Sequence, residues 1–192
     1  LFYNFGFFIL LAFTPFPLGL DAHGLGYVFF GWGVMVAVFS VFVAPWLAKQ
    51  IGTVTALYLA FVLVALDLLV MAVETDSQTT LIVAVIAAGA FLGVVNTLLT
   101  HTVMWIAPVD RATTSASYSF VRFIGGAAAP YLAGKMAERW TPHVPFYVGA
   151  ASVTVAIGVL AASRAHLRGV DASLGHEPRV VEPEPLVAAL GD

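Results

Sequence analysis

A single guanidinium stands in an otherwise uncharged run: Arg122 is the only charge between Arg111 and Lys135, within Tyr118-Ser119-Phe120-Val121-Arg122-Phe123-Ile124-Gly125-Gly126-Ala127-Ala128-Ala129-Pro130. An Arg at the centre of a membrane helix costs roughly 2.5 to 3.5 kcal/mol on insertion scales, so its head has to face a polar interior. Two roles are open to it: stapling its helix to neighbours through its five donors, or lining a transport pathway. Tyr118, one turn away, and Ser119 offer oxygen atoms near the same head. Asp67 is the only carboxylate well within an apolar run. It is either a group that takes up and releases a proton during transport, or an acid near the interface, in a watery crevice or paired with a cation.

Small and polar residues recur around these charges. Gly89, Gly93, Asn96 and Thr100 follow at spacings of four, three and four, which places them on one helical stripe. Gly125 and Gly126, with Ala129 and Pro130, share the face of Arg122, and Gly33, Ala37, Ser40 and Ala44 form a third stripe. In lipid such residues let helix backbones approach closely, so the glycines read as packing seams. Asn96 and Arg122 each lie about nine residues from the same end of their helices, roughly 13 to 14 Å deep, and the amide carbonyl is a partner for the guanidinium. Asn4 is a further midplane amide, and His101 reads as a structural donor near a helix end.

The elements that carry these groups are membrane spans. Of 192 residues 60% are hydrophobic and only 10% charged, with a mean hydropathy of +0.95, against about 25% charged in a soluble domain. Charge-free tracts cover 22 to 48, 50 to 66, 77 to 109 and 140 to 163, most of them at or beyond the roughly 20 residues that cross a bilayer. The net charge of −3 and the lack of a basic stripe argue against nucleic acid. No cysteine is present, so disulfides and thiolate metal sites are excluded. Nucleotide loops and hydrolase or zinc-peptidase motifs are missing, so no catalytic residue, metal or cofactor is expected.

Six helices fit the breaks: from the start to about Thr14, then Gly26 to Trp46, Thr53 to Val73, Thr79 to Trp105, Thr113 to Ala137, and from Pro145 to about Ser163. The fold class is an all-α membrane protein, with residues 1 to 168 a six-helix transmembrane unit. Residues 169 to 192, where Pro178, Pro183 and Pro185 alternate with Glu177, Glu182 and Glu184, read as a disordered cytoplasmic tail. Lys49, Arg111, Arg164 and Arg168 share one side against Lys135 and Arg139, so both chain ends face the cytoplasm. The start in mid-run, without Met, reads as that of a fragment.

The helix pattern, Asn96-Thr97-Leu98-Leu99-Thr100, and Arg111 followed by Ser119 to Ala127 and Pro130 resemble the C-terminal half of a major facilitator superfamily transporter, closest to bacterial drug:proton antiporters of twelve helices. Phe5-Gly6-Phe7-Phe8 and Thr14-Pro15-Phe16-Pro17-Leu18 look like that family's seventh helix. In the family's loop signature G-x-x-x-D-R-x-G-R an acid stands where Lys49 is found here, and Gly125-Gly126 to Pro130 reverses the order of the antiporter signature G-P-x-x-G-G.

The resemblance implies alternating access, with two halves rocking about a midplane site. It implies that the first and fourth helices line the cavity, placing Asn4 and Asn96 toward substrate with Thr100 on the Asn96 stripe, and that the third helix, which carries Asp67, is peripheral; the residues themselves make Arg122, Tyr118 and Asp67 the candidates for intramembrane charge or coupling. The implied partners are the lipid bilayer of the bacterial inner membrane, a missing N-terminal six-helix half, a small-molecule substrate and protons. The expected function is proton-coupled efflux of small amphipathic compounds. The alternatives are a sugar or metabolite transporter of the same superfamily, or a truncated, transport-inactive half acting as a scaffold.

Overall fold

A computed structural model describes residues 1–106 and 110–163, and within these every regular element is a helix. Helix α1 runs Phe2–Phe13 and continues through a further turn, Pro15–Leu18. The prolines, expected to end it, sit in the first turn of that segment, where their missing N–H is not required. Gly19, at φ +58°, then closes the helix in the left-handed conformation open to glycine.

Helix α2 spans Ala22–Ile51, four residues earlier than its expected start because the Asp21 carboxylate accepts a hydrogen bond from Gly24 N at 2.8 Å. Its course is interrupted by one π-helical segment, Phe39–Val43, closed by the bond from Ala44 N to the Phe39 carbonyl. Gly52, at φ +85°, is the single residue between α2 and α3 (Thr53–Val73). Helices α4 (Gln78–Ile106), α5 (Arg111–Arg139) and α6 (Val144–Ala162) complete the chain. Helix α5 begins on Asp110, whose two carboxylate oxygens take Thr113 N at 2.9 Å and the Thr113 hydroxyl at 2.7 Å.

Four of these helices, α2, α3, α4 and α6, are long and apolar enough to cross a membrane. Phe2–Leu18 is apolar but shorter, and α5 has the length with a polar stripe through it. The packing order is α2 on α4, α4 on α3, α3 on α6, and α6 on α1, with α1 also against α5. Buried Leu57, Val64, Leu68, Leu92 and Phe146 form the centre of this bundle, while Phe30, Phe42, Val62, Val83, Phe120 and Phe123 are exposed on its outside. An apolar exterior of that extent fits a protein whose solvent is lipid.

The glycines set which helices approach. A Cβ on Gly89 would meet the Trp32 carbonyl oxygen at 2.4 Å, and one on Gly93 the Val36 oxygen at 2.7 Å. Ser40 Oγ donates to the Gly93 oxygen at 3.2 Å across the same seam. The expected stripe on α2 holds at Ser40 and at buried Ala44 and is corrected at the other two: a Cβ added to Gly33 would meet nothing within 4 Å and Ala37 is exposed, while Trp32, Met35, Val36 and Phe39 join Ser40 in the seam. On α5, a Cβ added to Gly125 would meet the Leu1 oxygen at 3.0 Å and one on Gly126 would run into the Phe8 ring, and Ala129 and Ala133 extend this buried face. Pro130, expected in the seam, is exposed, and the helix continues past it to Arg139.

Candidate functional site

Arg122 and Asn96 meet. Arg122 Nη2 donates to Asn96 Oδ1 at 3.0 Å, joining α5 to α4 at the depth their positions in the helices require. The same oxygen accepts the Tyr3 hydroxyl at 3.2 Å, so three helices converge on one amide carbonyl. Asn4, buried to 1% exposure, donates its Nδ2 to the Arg122 backbone oxygen at 3.1 Å, a second tie between α1 and α5. The guanidinium carbon lies 5.3 Å from the centroid of the Tyr118 ring, within cation–π range. Tyr118 therefore presents its ring face to Arg122 rather than the expected hydroxyl, and Ser119 supplies no oxygen to it.

Several polar atoms in this cluster keep free capacity. Asn4 Oδ1, Tyr118 Oη and Arg122 Nε are buried without a hydrogen-bond partner among the described residues. No carboxylate stands within ion-pair distance of Arg122 among them. The cluster is thus a fixed cation held by neutral oxygens, with unused donors and an unused acceptor around it. Chemically, such a group is able to hold and orient a polar or anionic partner. No group of residues among those described could hold a metal ion.

Tyr3 was not apparent in the sequence, where it stands in an aromatic run at the chain start. It is 4% exposed and its ring lies 5.3 Å from Phe61 and 6.4 Å from Phe7. The Phe7 ring in turn stacks on Trp32 at 6.4 Å, and Trp32 Nε1 is another buried, unpartnered donor. The i, i+4 spacing of Tyr3 and Phe7 beside Asn4 was the available signal.

Other candidates stand apart. Thr100 is half-buried and joins none of these bonds among the described residues, and His101 is exposed and donates to none of them. Asp67 lies on α3 away from the cluster, 8% exposed, with its Oδ2 unpartnered and no cation near it among the described residues. Of the two surroundings expected for an interfacial acid, a watery crevice or a cation, the cation is not found among the described residues. Instead it lines a cavity of about 330 Å³ with Val70, Thr79, Thr80, Val83, Ala84 and Ala87. The proposed tail, 169 to 192, and Arg164 and Arg168 lie outside the described residues.

An all-helical bundle with an apolar exterior and a charged node between its helices is that of an integral membrane protein, and the chain belongs to the major facilitator superfamily, whose family model matches residues 1–190. Over 174 residues it is 52% identical to the Multidrug efflux protein YfmO of Bacillus subtilis (strain 168), an alignment that covers 91% of this chain and 43% of that protein. The chain thus spans less than half the length of its curated relative.

Proposed function

We propose that this chain is the C-terminal part of a proton-coupled exporter of small amphipathic compounds in the bacterial cytoplasmic membrane, with both ends of the chain on the cytoplasmic side. The observation that carries this reading is the three-helix node at Asn96 Oδ1, which gathers Tyr3 and Arg122 inside a lipid-exposed bundle. The 52% identity to a multidrug efflux protein supports the export of drug-like molecules over a sugar or metabolite. The aromatic path Tyr3, Phe7 and Trp32 leads away from the node, a wall that suits apolar rings of many shapes.

In this reading the chain packs against a further helical unit, and the two rock about the node to open one side of the membrane at a time. A proton-carrying acid on the accompanying unit would share the region of the free Arg122 Nε, so that loss or gain of the proton changes the attraction between the two units. The node itself moves no proton: it holds a constant field against which a substrate or an acid is sensed.

The test is drug efflux from cells expressing the full reading frame, wild-type against Arg122→Ala at equal membrane abundance. Efflux by Arg122→Ala reduced to the level of cells without the transporter supports the reading, and unchanged efflux removes the node from transport. Collapse of the proton gradient with an uncoupler abolishes efflux if protons drive it, and leaves it intact if they do not.

A further inference from the structure

The cavity at Asp67 lies on the opposite face of α4 from the node. Ala87 precedes Asn96 by nine residues, which at about 100° each places it roughly 180° round the helix, and Thr80, Val83 and Ala84 follow the same side. The rim is open: Val70 is 46% and Val83 61% exposed. Asp67 is about two turns from the end of α3 and Thr79 and Thr80 stand in the first turn of α4, so the opening sits near the end of the bundle that carries Glu74 and Asp76.

The interior combines one buried carboxylate with valine and alanine walls and threonine hydroxyls. Thr80 is engaged with Ser77 at 2.8 Å, while Thr79 is exposed at the rim. His143, on this end of the bundle, is occupied elsewhere: Nδ1 bonds to the Ala72 oxygen at 2.7 Å and Nε2 lies 3.8 Å from Asp76. Nothing among the described residues satisfies Asp67, although a buried carboxylate ordinarily has a donor or a cation.

We propose that this outer pocket binds the primary ammonium end of an amphipathic amine, with the ammonium on the Asp67 carboxylate and the apolar chain leaving past Val70 and Val83. An ammonium supplies three donors and a compact positive charge, which matches a single carboxylate with a hydroxyl at its rim. About 330 Å³ holds a headgroup and the first methylenes of a chain, not a whole drug-sized molecule. The amine comes either from the ethanolamine headgroup of a bilayer lipid or from a free amine dissolved in the membrane. The site is separate from the node and does not depend on the transport reading.

The experiment uses the full-length protein in nanodiscs of phosphatidylcholine, with thermal unfolding followed during titration with dodecylamine and, as the uncharged control, dodecanol. Wild type is expected to show a saturable rise in Tm with dodecylamine only, and Asp67→Asn an apparent affinity weaker by about tenfold or more, the range of a lost charge-assisted hydrogen bond. Val83→Trp fills the mouth while keeping Asp67, and is expected to weaken binding equally should Asp67→Asn fail to fold. Replacing phosphatidylcholine by phosphatidylethanolamine separates the sources. A Tm rise in wild type that Val83→Trp lacks, with dodecylamine then unable to add to it, identifies the lipid, whereas dodecylamine binding indifferent to the lipid identifies a free amine. Equal responses to dodecylamine and dodecanol, or equal affinities in wild type and both variants, overturn the proposal.

Discussion

Asn4 donates its side-chain amide to the backbone oxygen of Arg122 at 3.1 Å, so it ties down the main chain of that residue and leaves the guanidinium to others. The residue is therefore held twice, its main chain by α1 and its side chain by Asn96 on α4 at 3.0 Å. Position and direction of the charge are set by different helices.

This separation gives a prediction for the pair Asn96 and Arg122. Asn96→Ala leaves a part-buried guanidinium without its acceptor and Arg122→Ala removes the charge, so the double variant is expected to lose less stability than the sum of the two, by about 1 to 3 kcal/mol. Unfolding of the purified single and double variants measures the difference, and strict additivity would show that the bond contributes nothing.

Arg122→Lys is expected to behave as Arg122→Ala does in efflux, lowering it about tenfold or more, because a point ammonium cannot reach Asn96 while lying over the Tyr118 ring as the planar fork does. Initial efflux rates of a fluorescent substrate at matched expression decide it. A fully active Lys variant means that charge alone suffices.

The seam between α2 and α4 predicts a contrast among glycines. Gly89→Ala places a methyl 2.4 Å from the Trp32 oxygen and is expected to cost about 1 to 3 kcal/mol, since backbone must move. Gly33→Ala meets nothing within 4 Å and is expected to be neutral or to stabilise by up to about 1 kcal/mol. Thermal unfolding in detergent compares them; equal effects would contradict the packing.

At the start of α5, hydrogen bonds from the Thr113 hydroxyl and backbone hold the Asp110 carboxyl below its ordinary range. A depressed folded-state value means the cap contributes above the unfolded-state pKa and is lost as pH falls through the folded one. Protection of the amides at 112 to 114 against hydrogen exchange, taken relative to the free-chain rate at the same pH, is expected to fall under acid and, at neutral pH, in Asp110→Ala. Exchange indifferent to both would deny the cap.

Orientation is tested with cysteines at exposed Gln50 and Thr141, on opposite ends of the bundle. On intact cells a membrane-impermeant thiol reagent is expected to label Thr141→Cys and spare Gln50→Cys; the converse pattern inverts the topology.

Much of this was readable in the chain. The apolar tracts gave the helices, and helical depth put Asn96 against Arg122, because spacing along a regular helix converts directly into height. What periodicity could not supply was rotation between helices: it grouped Gly33 with Ser40 and Pro130 with Gly125, although the first of each pair faces outward. Tyr3 and the empty surroundings of Asp67 depend on what neighbouring helices bring, which no single segment encodes. The prolines at 15 and 17 misled for a simpler reason, since a proline that starts a turn and one that ends a helix are the same letter.

The π segment of α2 divides that helix into two phases. One residue more than a regular turn is wound into Phe39–Val43, so the faces before and after it are offset by about 100°. Trp32 and Val36 meet α4 in the first phase; Ala44 and Ala48, both buried, belong to the second. Removing any one residue from this segment would restore an unbroken helix and swing Ala44 and Ala48 away from the bundle without altering their identity. A length change there is therefore a rotation, and its effect would fall on a contact several turns from the deletion rather than at it.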